Sequence, residues 1–499
     1  MADRPNIIFI FPDQQRGDTV GFSGNTVVKT PNLDRLATES VTFSRSICNA
    51  PICMSARMSL MTGLPVCQHG MWANNISGDP TLPNHVRNIR DAGYYTGQIG
   101  KVHLGVRTKG DGHTSEHAHK MHAWGWDYSH ELRDITAYVH ADCYYTDFLE
   151  ERGHLHLLRD PISTYMNGET QGKLHPWETP PSLLPDDEDI DMYTARKAIE
   201  FIEGYEQDQP FYLQVNFPGP HNPFDSPASS RALYNPDDMP RAILDETIGP
   251  ISPQVQRQMT GSRLQGLKTS QEQLMRLYYY AKVTHIDEGI GQLVDALTAK
   301  GLMDNTWIIY TSDHGEMLGD HHCSHKSVFY ESALHIPLLI RPPGGTKGWR
   351  SSALTDQFDL VDTMLEIAEA PVLQDAAEYR TSLVSKVMDG EGASEAQKGK
   401  DVLFSEVRLF SMVRNDRYKL SVDSVTREPT ELYDMVEDPR EVHNRVEDPE
   451  LAHVRTELLE KHLGGLLDTL NEDKLKTYQD ALADNPNRGT VAAHVEPAK

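Results

Sequence analysis

Three short apolar runs constrain this chain more than any other feature, because each one stops at a cluster of polar residues. Residues 6–11 end at Pro12-Asp13-Gln14-Gln15, residues 211–217 end at Pro218-Gly219-Pro220-His221, and residues 307–311 end at Ser312-Asp313-His314-Gly315. A strand apolar on both sides has both faces covered, which is the situation of a mostly parallel sheet between layers of helix. In an open α/β sheet, ligands bind beyond the carboxyl ends of the strands. The pattern therefore predicts an α/β fold with a polar rim that gathers residues far apart in sequence.

Other segments fit that frame. Thr30-Pro31-Asn32 opens a helical pattern through Leu33, Leu36 and Ala37, and residues 56–62 look helical up to Gly63. Residues 95–100 read as a strand ending in Gly100-Lys101-Val102-His103. A long amphipathic helix is expected from about 271 to 300, with Leu274, Leu277, Ala281, Ile290, Leu293 and Leu297 near helical spacing. Residues 105–190, rich in His, Gly, Pro and Trp, read as long loops over the core that shape a pocket, with Trp124, Trp126, Tyr128 and His130 among them. At 499 residues, one large domain (1–370) and a smaller α+β domain (371–499) are expected. The smaller one has strand-like stretches at 402–406 and 410–420 and a helix near 448–470. A polar extension follows from about 470, a candidate interface arm for a homo-oligomer.

Charge narrows the partners. With 73 acidic against 47 basic residues the formal net charge is -26, which opposes binding of nucleic acid. An anionic substrate must then be drawn by local cations against the global field. No stretch approaches the roughly 20 apolar residues of a membrane span. The apolar run at 6–11 is too short for a signal-peptide core. The five cysteines (Cys48, Cys53, Cys67, Cys143 and Cys323) suggest no paired framework, so a reducing, cytoplasmic setting is expected.

The rim residues suggest chemistry. Carboxylates at equivalent strand ends, Asp13 and Asp313, need a cation to stay ionised together when buried. A divalent metal held by Asp13, Asp313 and the Gln14 amide meets that need, and His314 shifts the preference from Ca²⁺ toward Mn²⁺ or another transition metal. Lys101 and His103 flank Val102 and share one face of an extended segment, a pair suited to an anion that also requires proton transfer. His221 lies in a stiff proline-flanked loop, and Lys326 follows His314 closely enough to return over the same rim. In Cys53-Met54-Ser55-Ala56-Arg57 the cysteine precedes a helical run whose N-terminus favours anions, and Arg57 at i+4 can reach back to it. Taken singly, each of these has a bland alternative: a turn cap, an exposed loop histidine, a buried thiol.

Read in order, these segments resemble the sulfatases of the alkaline phosphatase superfamily over nearly the whole chain. The resemblance is carried by Pro5-Asn6-Ile7-Ile8, the Cys53 to Arg57 pentapeptide with Leu60-Met61-Thr62-Gly63, and Gly100-Lys101-Val102-His103-Leu104-Gly105. It continues in Pro220-His221-Asn222-Pro223-Phe224, Thr284-His285-Ile286-Asp287, Thr311-Ser312-Asp313-His314-Gly315-Glu316, Lys326 and the C-terminal Glu431-Leu432-Tyr433-Asp434. It implies that a formylglycine-generating enzyme oxidises Cys53 and that the hydrated aldehyde, which also contacts the metal, attacks the sulfur of a small organic or aryl sulfate ester. Arg57 and Lys101 would stabilise charge on the sulfuryl oxygens, His221 and Lys326 would assist the departing oxygen, and His103 would take the proton that releases sulfate. Asn74 would also contact the sulfate.

The sequence departs from the family pattern at three positions. Ser55 replaces the usual proline or alanine, Gln14 stands where many relatives have aspartate, and His314 stands where many have asparagine. The last two resemble phosphonate monoester hydrolases and choline-sulfatase-like enzymes. Two alternatives follow: phosphonate monoester or phosphodiester hydrolysis in the same site, or an unmatured protein that only binds anions.

Overall fold

A computed structural model describes residues 4–106, 112–139, 141–167, 174–392 and 398–484. Eight strands form the main sheet: β1 (Asn6–Ile10), β2 (Val41–Ile47), β3 (Tyr95–Lys101), β4 (Tyr128–Leu132), β5 (Phe211–Asn216), β6 (Thr306–Thr311), β7 (Leu338–Arg341) and β8 (Trp349–Asp356). Their spatial order is β4-β3-β5-β1-β6-β7-β2-β8. Every pairing is parallel except the two made by β7. The expected large, mixed and mostly parallel sheet is therefore present.

Alternation along β1 shows why its run is apolar throughout. Ile7 and Phe9 join Tyr212, Trp307 and Ile309 on one face, under Leu360, Val361 and Met364 of the helix Gln357–Ile367. Ile8 and Ile10 join Leu213, Val215, Ile308 and Tyr310 on the other, under Ile286, Ile290, Leu293 and Leu297 of the helix Thr269–Ala299. Each fully buried side chain of this kind contributes about 1.5–3 kcal/mol, opposed by the entropy of ordering the chain.

A second, antiparallel sheet follows: β9 (Leu403–Val407), β10 (Phe410–Arg414), β11 (Tyr418–Asp423) and β12 (Pro429–Asp434), in the order β12-β11-β10-β9. Its inner face shares one apolar cluster with residues of the 47–73 segment, including Ile52, Ala56, Cys67 and Trp72. The small sheet thus backs the segment that carries Cys53. Across this junction Arg414 and Lys419 reach Glu331 at 2.7 and 3.1 Å, and Lys419 also pairs with Glu441.

Four expectations need correction. The 105–190 stretch contributes edge strand β4 and the helices Tyr144–Glu151 and Leu155–Asn167, which bury Leu132, Tyr138, Tyr145, Leu149 and Ile162 together. The polar residues of an edge strand hide its periodicity. Residues 410–420 are two strands, not one, because the Asn415 carboxamide accepts from Arg417 N and Tyr418 N and turns the chain. The helix near 448–470 begins as a 3-10 turn and contains a π-helical stretch, Glu457–Leu463. The extension after 470 begins as the helix Glu472–Asp484, whose Tyr478 is buried in the shared cluster. The rest of the supposed arm, 485–499, lies outside the described residues.

Candidate active site

The site stands at the carboxyl ends of β1, β3, β5 and β6, as the three apolar runs predict. Asp13 follows β1, Asp313 and His314 follow β6, and Lys101 ends β3. Cys53 opens the helix Cys53–Thr62, all ten residues of which are buried. Ligand atoms of Asp13, Cys53, Asp313 and His314 all lie within 4.8 Å of one another. Cys53 Sγ is 3.7 Å from Asp13 Oδ1 and 3.2 Å from His314 Nε2.

Hydrogen bonds fix how these groups face the centre. His314 Nδ1 lies 2.9 Å from Gly315 O, and a carbonyl can only accept, so the proton sits on Nδ1 and the Nε2 lone pair faces the cluster. Asp313 Oδ1 accepts from Gln14 N at 2.8 Å and from His314 N at 2.9 Å. Two carboxylates, an imidazole lone pair and a thiol, all buried, form a donor set that fits a divalent metal ion. The Gln14 side chain, expected as a ligand, is engaged otherwise: its amide oxygen accepts from Lys326 Nζ and its amide nitrogen donates to Glu316. Gln14 itself is held at φ 68° and joins the site through its backbone N–H as well.

Cations offset the carboxylates in the structure as it stands. Arg57 Nε is 3.0 Å from Asp313 Oδ2, and its Nη2 is 3.3 Å from Asp13 Oδ2. Lys101 Nζ lies between Asp13 Oδ2 at 2.5 Å and Asp134 Oδ2 at 2.6 Å. Burial opposes the charge on Asp13, yet Lys101, with Arg57 and Lys326, holds its carboxyl well below the usual range. Burial and the Asp13 carboxylate push the Cys53 thiol up to about 11, so the unmodified side chain is a protonated thiol at neutral pH. Burial, with the neighbouring Lys101, also keeps His103 neutral, its pKa lowered to about 3.

The remaining expected residues line or adjoin the same space. Lys101, His103, Asn74 and Met54 line a cavity of about 210 Å³ together with Glu131, Arg133 and Asp134. His103 adopts φ 55°, and its Nδ1 is buried with no hydrogen-bond partner among the described residues. Asn74 Oδ1 accepts from Met54 N at 3.0 Å and so caps the Cys53 helix from outside. His221 is buried, with Nδ1 donating to Asn222 O at 2.7 Å. Ser55 is also buried and donates to Met71 O, so the folded state accommodates it. Cys48, Cys67, Cys143 and Cys323 are buried free thiols, as expected.

Three residues of the site escaped the sequence reading. Asp134 holds Lys101 with one oxygen while the other accepts from Thr136 N at 3.1 Å and Thr136 Oγ1 at 2.7 Å. It follows β4 much as Asp13 follows β1, so recognising that edge strand would have found it. Glu316 orients the Gln14 amide, and its place in the Asp313-His314-Gly315-Glu316 run was its only signal. Gln357, whose Nε2 donates to Ser312 O at 2.8 Å and Asp313 O at 2.9 Å, left no signal.

The chain belongs to the sulfatase family: the family model described as sulfatase matches residues 5–370. The model described as the C-terminal part of N-sulphoglucosamine sulphohydrolase matches residues 319–466. The chain is 29% identical over 405 residues to an arylsulfatase of Clostridium perfringens, covering 78% of this chain and 81% of the relative. It is 30% identical over 403 residues to an ulvan-active sulfatase of Formosa agariphila, covering 79% and 67%. Among solved structures, the phosphonate monoester hydrolase of Agrobacterium radiobacter shares its fold, with TM-score 0.76 and 24% identity over 94% of this chain and 96% of that one. The protein is thus a sulfatase, an enzyme that hydrolyses sulfate esters.

Proposed function

We propose that the enzyme hydrolyses a small organic or aryl sulfate ester through formylglycine formed from Cys53, with one divalent metal ion held by Asp13, Asp313 and His314 beside residue 53. Gln14 joins that set if its amide oxygen serves the ion as well as Lys326. The observation that carries this reading is the convergence of four buried donor groups, Cys53 among them, on one point. A bound ion supplies Lewis acidity there, withdrawing charge from an oxygen placed against it.

The chain's own residues do the rest. The hydrated aldehyde of residue 53 presents two hydroxyls; one attacks sulfur, and the alcohol or phenol departs. Arg57 and Lys101 hold the sulfuryl oxygens, whose charge rises in the transition state. His221 and Lys326 assist the departing oxygen, by protonation or by charge. Burial, Lys326 and Lys101 keep His221 neutral in the free enzyme, and a bound sulfate ester offsets those cations. His103, kept neutral, takes the proton of the second hydroxyl as sulfate is expelled and the aldehyde returns. Water has no need to attack sulfur.

Maturation by a formylglycine-generating enzyme must precede folding of this region. Cys53 is 1% exposed and its helix is wholly buried, so only the extended chain can enter another active site. A second reading, hydrolysis of phosphonate monoesters or phosphodiesters, is favoured by His314 in the donor set and by Gln14, in place of an aspartate, beside it.

Peptide mass spectrometry of residue 53, paired with rates on an aryl sulfate, an aryl phosphodiester and an aryl phosphonate monoester, tests both readings. An aldehyde at position 53 and the aryl sulfate as best substrate are expected. Sulfate as the poorest substrate by orders of magnitude would select the second reading, and intact cysteine in active enzyme would remove the formylglycine step.

A further inference from the structure

His221 lies on a buried segment that is fixed at both ends by charged side chains from the helix layer behind it. Two residues before the histidine, Gly219 N donates to Asp191 Oδ1 at 2.8 Å. Four residues after it, Asp225 Oδ1 accepts from Lys282 Nζ at 2.8 Å. The two anchors meet each other, with Lys282 Nζ 3.9 Å from Asp191 Oδ2. Asp191 is 0% exposed and Lys282 1%.

Their supports are rigid. Asp191 is in the first turn of the helix Ile190–Gly204 and Lys282 is mid-way along Thr269–Ala299. Ala195 and Ala198 of the first helix pack with Ile286 and Ile290 of the second in one apolar cluster. The approach at Gly219 is close enough to exclude a side chain, because a β-carbon there would lie 2.3 Å from Asp191 Oδ2. A buried ion pair of this kind adds little net stability compared with apolar residues of the same volume. What it does provide is a fixed frame at both ends of the histidine segment.

We infer that Asp191 and Lys282 are positioning residues that aim the His221 ring at the departing ester oxygen. The assignment rests on the role proposed for His221. It predicts an effect that depends on the leaving group. An ester whose alcohol is a poor leaving group needs assistance at oxygen, whereas a nitrophenyl sulfate needs little. A structural role alone would lower both rates alike, as would an effect passed through Asp13, whose N–H donates to Gly219 O at 3.0 Å.

The experiment compares full-length, matured wild type with His221→Ala, Asp191→Asn and Asp225→Asn on a series of aryl sulfates of rising leaving-group pKa. Rates are normalised to the aldehyde content at residue 53. Asp225→Asn weakens the hold of the Lys282 anchor on the segment and is the second anchor variant; Asp225 is more exposed than Asp191, so it keeps the test open if Asp191→Asn folds poorly. The expected result is a steeper leaving-group dependence in both anchor variants, about 30- to 100-fold loss on the poorest leaving group against less than about 3-fold on nitrophenyl sulfate. Each anchor variant combined with His221→Ala should lose little beyond His221→Ala alone. A steep series for His221→Ala with flat series for both anchor variants would overturn the positioning role while leaving the histidine's role intact. A flat series for His221→Ala itself would overturn the role proposed for the histidine, and the anchors' role with it.

Discussion

The charge cluster at the junction of the two sheets and the one at the strand ends are built to opposite ends. At the junction of the two sheets, Lys419 is shared by Glu331 and Glu441 and also donates to Phe329 O at 2.6 Å, while Arg414 takes the same Glu331. Acid and base are matched there. At the strand ends, Asp13 and Asp313 have Arg57 and Lys101, but the thiol of Cys53 and the Nε2 lone pair of His314 are turned toward the same carboxylates. A cluster that satisfies itself joins elements, whereas one that gathers ligand atoms is prepared for something more. Lys419 and Glu441 are as buried as Asp13 and Lys101, so burial alone does not separate architecture from chemistry.

The sharpest way to break the comparison is to remove one member of each cluster. Cys53→Ala should abolish sulfate ester hydrolysis, a loss above about 10⁴-fold because the nucleophile is gone. Its midpoint of urea unfolding should stay close to that of the wild type, since the lost group is a small side chain. Lys419→Met should do the reverse. It strands Glu441 in the junction and should cost on the order of 3 kcal/mol in urea unfolding, with kcat/KM per folded molecule unchanged. A large loss of kcat/KM in Lys419→Met would show that the two clusters are coupled.

The smallest effect concerns pH. Burial, reinforced by Glu331 and opposed by Lys419, pushes the Glu441 carboxyl up to about 7. Between its ordinary value and that one the folded state holds a proton that the unfolded chain has released. The contribution of Glu441 to stability is therefore present below about pH 4.5 and lost as pH rises toward 7. Glu441→Gln should flatten that part of the stability profile, measured by urea unfolding across pH 4.5–7. An unchanged slope would place the titration elsewhere.

Legibility in the sequence followed burial pattern. Strands β1, β5 and β6 are apolar on both faces because helices cover both, and such runs stand out in any window. Their polar successors, Asp13, His221, Asp313 and His314, were visible for the same reason. Edge strand β4 was not, since Tyr128-Ser129-His130-Glu131-Leu132 has the mixed character of a strand paired on one side only, and Asp134 was lost with it. The turn at Asn415 was missed because one carboxamide makes it, with no glycine to mark the spot.

By itself, then, the sequence determined the layered α/β architecture, the rim of the sheet as the place of chemistry, and the order of motifs that marks a sulfatase. The first two follow from periodicity and from the polar residues that end each apolar run, and the third from the resemblance of those motifs to a known family. Only the tertiary structure decided which groups meet: that Gln14 bonds to Lys326 and Glu316, that Asp134 shares Lys101 with Asp13, and that Asp191 and Lys282 stand behind His221. These partners are up to about three hundred residues apart, and one buried hydrogen bond leaves no periodic trace along the chain. Contacts of that kind exist only once the sheet has brought its strand ends together.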